Sequence, residues 1–527
     1  MLKRTDIDEN LIPKEPPRLR RTLWWIFIVT FMIYLIPSPV GPGHFLLIKS
    51  MAFSWNDQAR VSTVESLAEQ GTMAVDYTKW GWFSGDTVFL REHWYSTKPP
   101  TLSALGAVIY IAYRGLIKAV TGHEITYINN EDLIYPMLVL TTNVLSFALL
   151  LVYFFRSLHL VDLTNRARWW LFWALAVGTL YPAYTSVFNN HTIAGALIFI
   201  GFYYVIKYRL GGAIKWWEAV FAGLMVGFAG VNDYTGALPF LLFTYFILAI
   251  TDLGFISFPP PAKNEKGAIA VWALLSFALL AILRLRLGTT TTAVLLVAPF
   301  VSGFALSIYL WTKKRPMTLL YLVGITLPVI AHLFLNSKIT GNWLPTYIQS
   351  DVYIATPPGY FGEVLTPEQA RMNNLLYWKY IGAGLFGIRG VFLYTPALLM
   401  GLVSSVAIFF TRGHRFRLEA LATILAVLAG WGYVLFVAST NFGGTSYGFR
   451  YALVATPILI FFCHKYFQDW DNRITQAIFR NAVAWGALVG LIAIPYPWGL
   501  AGELPATLNS IVCNMEYITL NVLRFLS

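Results

Sequence analysis

The sequence predicts an all-α polytopic membrane protein with about thirteen transmembrane helices and two long outer-face loops that carry interfacial helices. Three observations predict it. Hydrophobic residues make up 57% of the 527 and charged residues only 12%, where a soluble domain carries roughly 25% charged. Apolar stretches near the ~20 residues needed to cross a hydrocarbon core recur along the chain. Lys and Arg gather in alternate loops between those stretches, the asymmetry that orients spans in a membrane.

The elements follow in order. Residues 1–22 read as a cytoplasmic tail with prolines and charges of both signs. The tail lacks a compact apolar stretch ending in small residues, so no removable signal peptide is expected. The first span covers Leu23 to Ile36 and follows Arg18, Arg20 and Arg21, which puts the N-terminus in the cytoplasm. Later runs occupy 134–155, 169–188, 192–208, 217–232, 236–252, 269–284, 291–311, 316–335, 391–411, 419–438, 452–467 and 476–495. Basic loops at Arg156–Arg168, Lys207–Lys215, Lys263–Lys266, Lys313–Arg315, Arg412–Arg417 and Lys465–Arg480 then share one side. The exception is Arg284 and Arg286, inside the 269–311 hairpin. An odd number of spans places the C-terminus outside.

Residues 101–120 are apolar enough to cross, but a crossing there would switch every later basic loop to the other side. They are therefore expected to lie along the outer interface, with Arg114 and Lys118 reaching the headgroups. The organisation is then an N-terminal catalytic transmembrane module, 23–335, that includes a first outer loop at 39–133. A second outer loop, 336–390, C-terminal helices, 391–495, and an outer tail, 496–527, complete it. In the second loop, TPEQARMNNLLYW predicts a short helix with Thr366 as N-cap and Pro367 at its first position.

The net charge of +12 falls mostly in short loops between apolar runs. It orients spans there, and nucleic acid is excluded as a partner. Cys463 and Cys513 lie too far apart for a disulfide framework or a zinc pattern. The chain has no GxxxxGK[ST] loop, no GxGxxG after a strand and no HExxH. No cofactor is expected; the scarcity of carboxylates in the short outer loops argues against a divalent metal without deciding it, and an activated substrate would come from the membrane.

The first outer loop carries two candidate stretches. In SWNDQAR, Asp57 precedes a helical pattern with Val61, Val64, Leu67 and Ala68 on one face. Two readings stand: Asn56 or Asp57 caps that helix, or Asp57 is a general base at a membrane-surface cleft. Arg60, one turn on, suits Asp57 or a phosphate. In HWYSTKPPT, Lys98 precedes two prolines that force an extended approach to a helix. It either snorkels or holds a phosphate as a point charge. Trp94 and Tyr95 beside it line a sugar or lipid pocket, or anchor in headgroups.

Three further segments present polar groups on the same expected face. NNHT carries Asn189, Asn190 and His191; VNDYTG carries Asp233; NFGGTSYGFRY carries Tyr447 and Arg450. Polar turns between spans are common without function, but ionisable groups at a membrane surface are functional candidates by default. Asn190, His191, Asp233 and Tyr447 are expected to bind substrate. Arg450 and Arg389 are expected to neutralise a phosphate together with Lys98 and Arg60.

This order of features resembles the integral-membrane glycosyltransferases of the GT-C superfold, in the branch of protein O-mannosyltransferases and lipid A aminoarabinose transferases. That branch carries an Asp-Glu-x-Arg stretch in its first outer loop, then Lys-Pro-Pro before an interfacial helix. The positions here read Asp57, Gln58, Ala59, Arg60, then Lys98, Pro99 and Pro100. The resemblance implies a sugar donor linked to polyprenyl phosphate and used on the outer, periplasmic face of a bacterial inner membrane. The acceptor would be an envelope lipid, glycan or protein. It implies that Asp57 activates or orients the acceptor hydroxyl, while Lys98 and an arginine hold the lipid phosphate, with inversion at the anomeric carbon. Two departures are Gln58 in place of the Glu, and Asn189, Asn190 and His191 where an acidic residue is common. The rival readings are a lipid-linked glycan ligase or polymerase, and a lipid or glycan transporter. A transporter tends to show internal repeats, and none is evident.

Overall fold

The structure is a computed structural model. It describes residues 16–37, 45–252 apart from 213, 316–341, 390–436, 446–468 and 472–495, with a few isolated residues besides. The expected spans at 269–284 and 291–311, the Thr366 helix, Arg389, Cys513 and nearly all of the outer tail lie outside the described residues.

The described chain is mostly helical. Helix α1 is Leu19–Tyr34, α2 Trp55–Glu69, α3 Pro100–Thr121, α4 Tyr127–Val139, α5 Leu145–Ser157, α6 Asn165–Ala176, α7 Tyr181–Thr185, α8 Asn190–Arg209, α9 Trp216–Asn232 and α10 Ala237–Asp252. Then come α11 Met317–Thr340, α12 Val391–Tyr394, α13 Pro396–Phe410, α14 Arg417–Phe436, α15 Thr456–Phe462, α16 Lys465–Gln468 and α17 Arg473–Ala493. Among the described residues six helical stretches are long and apolar enough to cross a membrane: Pro100–Thr121, Tyr127–Leu160, Asn190–Arg209, Met317–Thr340, Arg417–Leu435 and Arg473–Ala493. Two shorter apolar helices, α10 and α13, stand beside them.

Several runs that read as continuous in sequence are broken. The 169–188 run divides into α6 and α7 because Pro182 has no N–H to continue the ladder and opens a new helix instead. Pro396 does the same between α12 and α13, and Pro457 sits in the first turn of α15. A π-helical turn at Leu140–Val144 joins α4 to α5 without stopping the helix.

Helix α8 is the centre of the bundle and is buried on nearly every side. Helices α5, α9, α10 and α15 pack around it, and α1 packs on α5. Helices α9 and α11 cross closely. Gly223 and Gly227 face Tyr321 and Ile325, and Gly324 faces Val220, so backbone meets backbone. In lipid, where the hydrophobic effect does not press helices together, such small-residue contacts supply the packing.

Residues 45–99 form a layer at one end of the bundle. Its unexpected element is a hairpin, β1 Thr87–Leu90 with β2 His93–Ser96. Arg91 and Glu92 turn it at φ 50° and 67°. That geometry suits a two-residue hairpin turn, but Asn and Gly are the residues that advertise it, so the all-helical expectation missed the strands. Carboxylates pin this layer to the helices. Glu69 accepts from Tyr110 Oη at 2.6 Å and Tyr127 N at 2.7 Å. Glu131 accepts from Ala52 N, Trp80 Nε1 and Tyr127 Oη, and pairs with Lys79 Nζ at 2.8 Å.

The other end of α8 is closed by a separate set. Arg209 pairs with Glu419 of α14, and Tyr208 Oη donates to Asp252 at 2.6 Å. Asp252 in turn accepts from Thr318 N at 2.9 Å.

Candidate active site

Helix α2 begins with a capping box. Ser54 Oγ accepts from Asp57 N, and the Asp57 carboxylate accepts from Ser54 N at 2.6 Å. The N-cap is therefore Ser54, and Asp57 is the third residue of the helix, rather than Asn56 or Asp57 being the cap. Asp57 Oδ1 also accepts from Ser54 Oγ at 2.6 Å and Gln58 N at 3.2 Å. Its Oδ2 accepts from Phe53 N at 3.2 Å and Tyr135 Oη at 3.0 Å. Five donors thus meet one carboxylate with no solvent exposure. Burial pushes Asp57 up to about 6, and the hydrogen bonds from Ser54, Tyr135 and Phe53 hold it from rising further.

Arg60 emerges one turn later. Its Nε donates to Asn56 Oδ1 at 3.2 Å and its Nη2 to Asn190 Oδ1 at 2.8 Å. Asn190, in the first turn of α8, donates to Asn232 O at 2.7 Å. Asn232 Oδ1 then accepts from Leu102 N, an amide at the start of α3 that has no partner within its own helix. The SWNDQAR and HWYSTKPPT stretches are thereby joined through Asn190 and Asn232.

Beside Asn190, His191 Nδ1 lies 2.7 Å from Asp233 Oδ2. Both side chains are buried, with 5% and 2% exposure. Asp233 Oδ1 is held by Gly236 N at 2.9 Å and Thr235 Oγ1 at 3.1 Å. The Tyr451 ring stands edge-on to His191, centroids 5.2 Å apart. Arg60 and Arg450 are both near enough for their charges to act on the imidazole.

Arg450 is buried in a short 3₁₀ turn, with its guanidinium over the rings of Tyr451 at 5.4 Å and Trp498 at 5.2 Å. Its Nε has no hydrogen-bond partner among the described residues. Asp86, at the foot of the hairpin, acts on Arg450 and pairs with Lys98 Nζ at 2.7 Å. Lys98 keeps only 11% side-chain exposure, so it is no free snorkelling lysine. A chain of neighbours thus runs from Arg60 through Asn190, His191 and Asp233 to Arg450, Asp86 and Lys98.

The expected set is brought together only in part. Arg60, Lys98, Asn190, His191, Asp233 and Arg450 share one end of the bundle, with Asp57 behind them. Tyr95 packs instead into a small satellite core with Met73, Ala74, Val88 and Ile339. Trp94 stacks at a tilt on Phe89 of the partner strand, 5.3 Å away. Tyr447 is sealed, its Oη donating to Val489 O at 3.2 Å, so it is a core residue here.

Three members lie outside the expected set. Asp86 stands alone in FSGDTVF and carries no spacing signal. Tyr451 has no mark of its own beside Arg450. His332, buried in α11, accepts or donates at 2.7 Å with Thr101 Oγ1 and bonds Tyr234 Oη through its other nitrogen. It ties the residue after Lys98-Pro99-Pro100 to the VNDYTG turn. Of the three it alone has a local signal, because a histidine inside an apolar run is a functional candidate.

No protein-family model matches the chain, and no curated protein matches it. Fold and site alone define the class: a mostly helical protein with helices suited to a membrane and a buried charged cluster at one end of the bundle.

Proposed function

We propose that this chain is an integral-membrane glycosyltransferase that moves a sugar from a polyprenyl-phosphate-linked donor to a cell-envelope acceptor, on the outer face of the membrane. The observation that carries the reading is the gathering of Arg60, Lys98 and Arg450, from three distant segments, around Asp86 and the His191–Asp233 pair. Buried cations are costly to keep out of water. Asp57 is answered by its own five donors, so the three cations face two carboxylates, Asp86 and Asp233, and that imbalance suits the single negative charge of a sugar phosphodiester. Arginine offers a planar fork to phosphate oxygens and lysine a compact point charge. As the sugar leaves, the phosphate gains a second negative charge, and cations already in place stabilise that change without moving. The motif residues Asp57, Arg60, Lys98, Pro99 and Pro100 point the same way.

The experiment is binding of polyprenyl phosphate, without sugar, to purified protein in nanodiscs. A charge-assisted hydrogen bond is worth roughly 1.5–3 kcal/mol. Lys98→Ala and Arg450→Ala are each expected to weaken binding by about ten- to a hundred-fold. Unchanged affinity in both variants removes the phosphate site and the proposal with it.

A further inference from the structure

Asp57 is badly placed to take a proton from a substrate. Its carboxylate has no exposure and already accepts from Ser54 N, Ser54 Oγ, Gln58 N, Phe53 N and Tyr135 Oη. A general base must come within hydrogen-bond reach of the hydroxyl it serves. Reaching Asp57 would mean breaking the start of α2.

His191 is differently held. An ionised carboxylate only accepts, so Asp233 Oδ2 fixes the proton on Nδ1, 2.7 Å away. That leaves the lone pair on Nε2. No hydrogen bond joins Nε2 to any described residue, and the side chain keeps 5% exposure. Asp233 is itself held by Gly236 N and Thr235 Oγ1 through its other oxygen. The charges of Arg60 and Arg450 act on the imidazole, so a phosphate held by those cations would share the surroundings of His191.

We propose that His191, oriented by Asp233, is the general base of the transfer; this rests on the glycosyltransferase reading. The acceptor hydroxyl oxygen forms a bond to the anomeric carbon. The bond from that carbon to the phosphate oxygen breaks, and its electron pair leaves on the phosphate. The hydroxyl proton passes to His191 Nε2, and the resulting imidazolium is paired with the Asp233 carboxylate. Polyprenyl phosphate departs with one more negative charge, facing Arg60, Lys98 and Arg450. His191 is then a catalytic residue and Asp233 a positioning residue. Asp57 keeps the helix that carries Arg60.

The test uses the full-length protein in nanodiscs, a labelled polyprenyl-phosphate sugar for transfer, and polyprenyl phosphate alone for binding. His191→Ala is expected to lower kcat by on the order of 10²–10⁴-fold while polyprenyl phosphate affinity stays within about threefold. Added imidazole is expected to restore part of the rate in His191→Ala and to do nothing for Lys98→Ala, since only the former lacks a base. Asp233→Asn is expected to lower kcat with KM little changed, and Asp233→Glu to recover part of it. A His191→Ala protein that transfers at the full rate overturns the assignment, as does one that imidazole does not rescue. If His191→Ala and His191→Gln both lose polyprenyl phosphate along with transfer, the residue is structural and the assignment falls. A wild-type protein that neither binds polyprenyl phosphate nor transfers its sugar fails the glycosyltransferase reading itself, a result distinct from the others.

Discussion

Replacing Asp57 by Asn and by Ala is expected to give two different proteins. In Asp57→Ala, the donors at Phe53 N, Ser54 N and Tyr135 Oη lose their acceptor, while Gln58 N keeps a bond to Ser54 O at 2.9 Å. A buried donor left unsatisfied costs about 1–3 kcal/mol, and one loss of this kind is partly relieved by water. The helix start adds about 1 kcal/mol. Two full losses and the cap together come to about 3–7 kcal/mol for the alanine variant. In Asp57→Asn the amide oxygen still accepts from Ser54, and the Tyr135 hydroxyl turns to accept from the new amide. Phe53 N is left facing a donor, a cost of about 1–3 kcal/mol.

Removing the charge works in the opposite direction. Burial raises the Asp57 carboxyl from 3.8 to about 6. The sign follows from which state holds the proton more tightly. The folded protein does, so this group's stabilising contribution is complete below about pH 4 and is lost as the pH rises through about 6. The loss, about two pH units at ~1.36 kcal/mol each, comes to about 3 kcal/mol by pH 7. Asn escapes it. At pH 7 Asp57→Asn is expected to sit within about 1–2 kcal/mol of wild type, to bind polyprenyl phosphate and to keep most of its transfer rate. The assay is thermal unfolding in detergent from pH 4 to 8 beside transfer in nanodiscs. A variant with wild-type melting and donor binding but no transfer would refute the reasoning and return the base to Asp57.

Glu65 offers the same kind of test over a wider window. Burial, with Glu69 and Glu131 nearby, raises it to about 8 against the Lys79 amide, so wild type is expected to lose stability between about pH 4.5 and 8. Glu65→Gln is expected to flatten that slope; an unchanged pH–melting curve contradicts it. At the α9–α11 crossing, a Cβ on Gly223 would run into the Tyr321 carbonyl. Gly223→Val is expected to cost more than the ~1–3 kcal/mol of ordinary overpacking, read as loss of monodisperse protein in size exclusion, and a well-behaved variant would show that the helices can part.

How much of this is legible in the sequence depends on the range of the interaction involved. Apolar runs at Tyr127–Leu160, Asn190–Arg209 and Met317–Thr340 announce themselves because a bilayer imposes length and composition locally. The grouping of His191, Asp233 and Arg450 also follows from local facts, since each lies at an expected span end on one side. The hairpin does not, because its turn uses Arg91 and Glu92. Asp86 does not either: its meaning comes from Lys98, twelve residues on, and from Arg450, in another half of the chain. Thr101 and His332 meet across 231 residues, and no spacing rule reaches that far. SWND is more explicit than the two readings given to Asp57. A Ser three residues before an acid is the capping-box pattern, and those four letters suffice to place Asp57 inside the helix.

The two ends of α8 hold their charges in different ways. At one end Arg209 sends Nε and Nη2 to the two oxygens of Glu419, Nη2 at 2.8 Å, and bonds the Arg415 carbonyl. Glu419 is fully buried, and one cation meets one anion in a fork that satisfies both. That arrangement closes on itself and has no need of a ligand. At the other end the charges form an open chain. Asp57 is answered at once by amides, Ser54 and Tyr135, so it offers Arg60 little. Asp233 is committed to His191, and Asp86 is shared between Lys98 and the field of Arg450. Arg450 keeps a buried Nε with no described partner and lies over two aromatic rings. Evolution of a purely structural layer has cheaper solutions, because apolar residues of the same volume commonly match or exceed a buried ion pair in stability. The same bundle uses the closed solution at its other end. The open one, beside the His191–Asp233 pair, is what supports the proposed phosphate site.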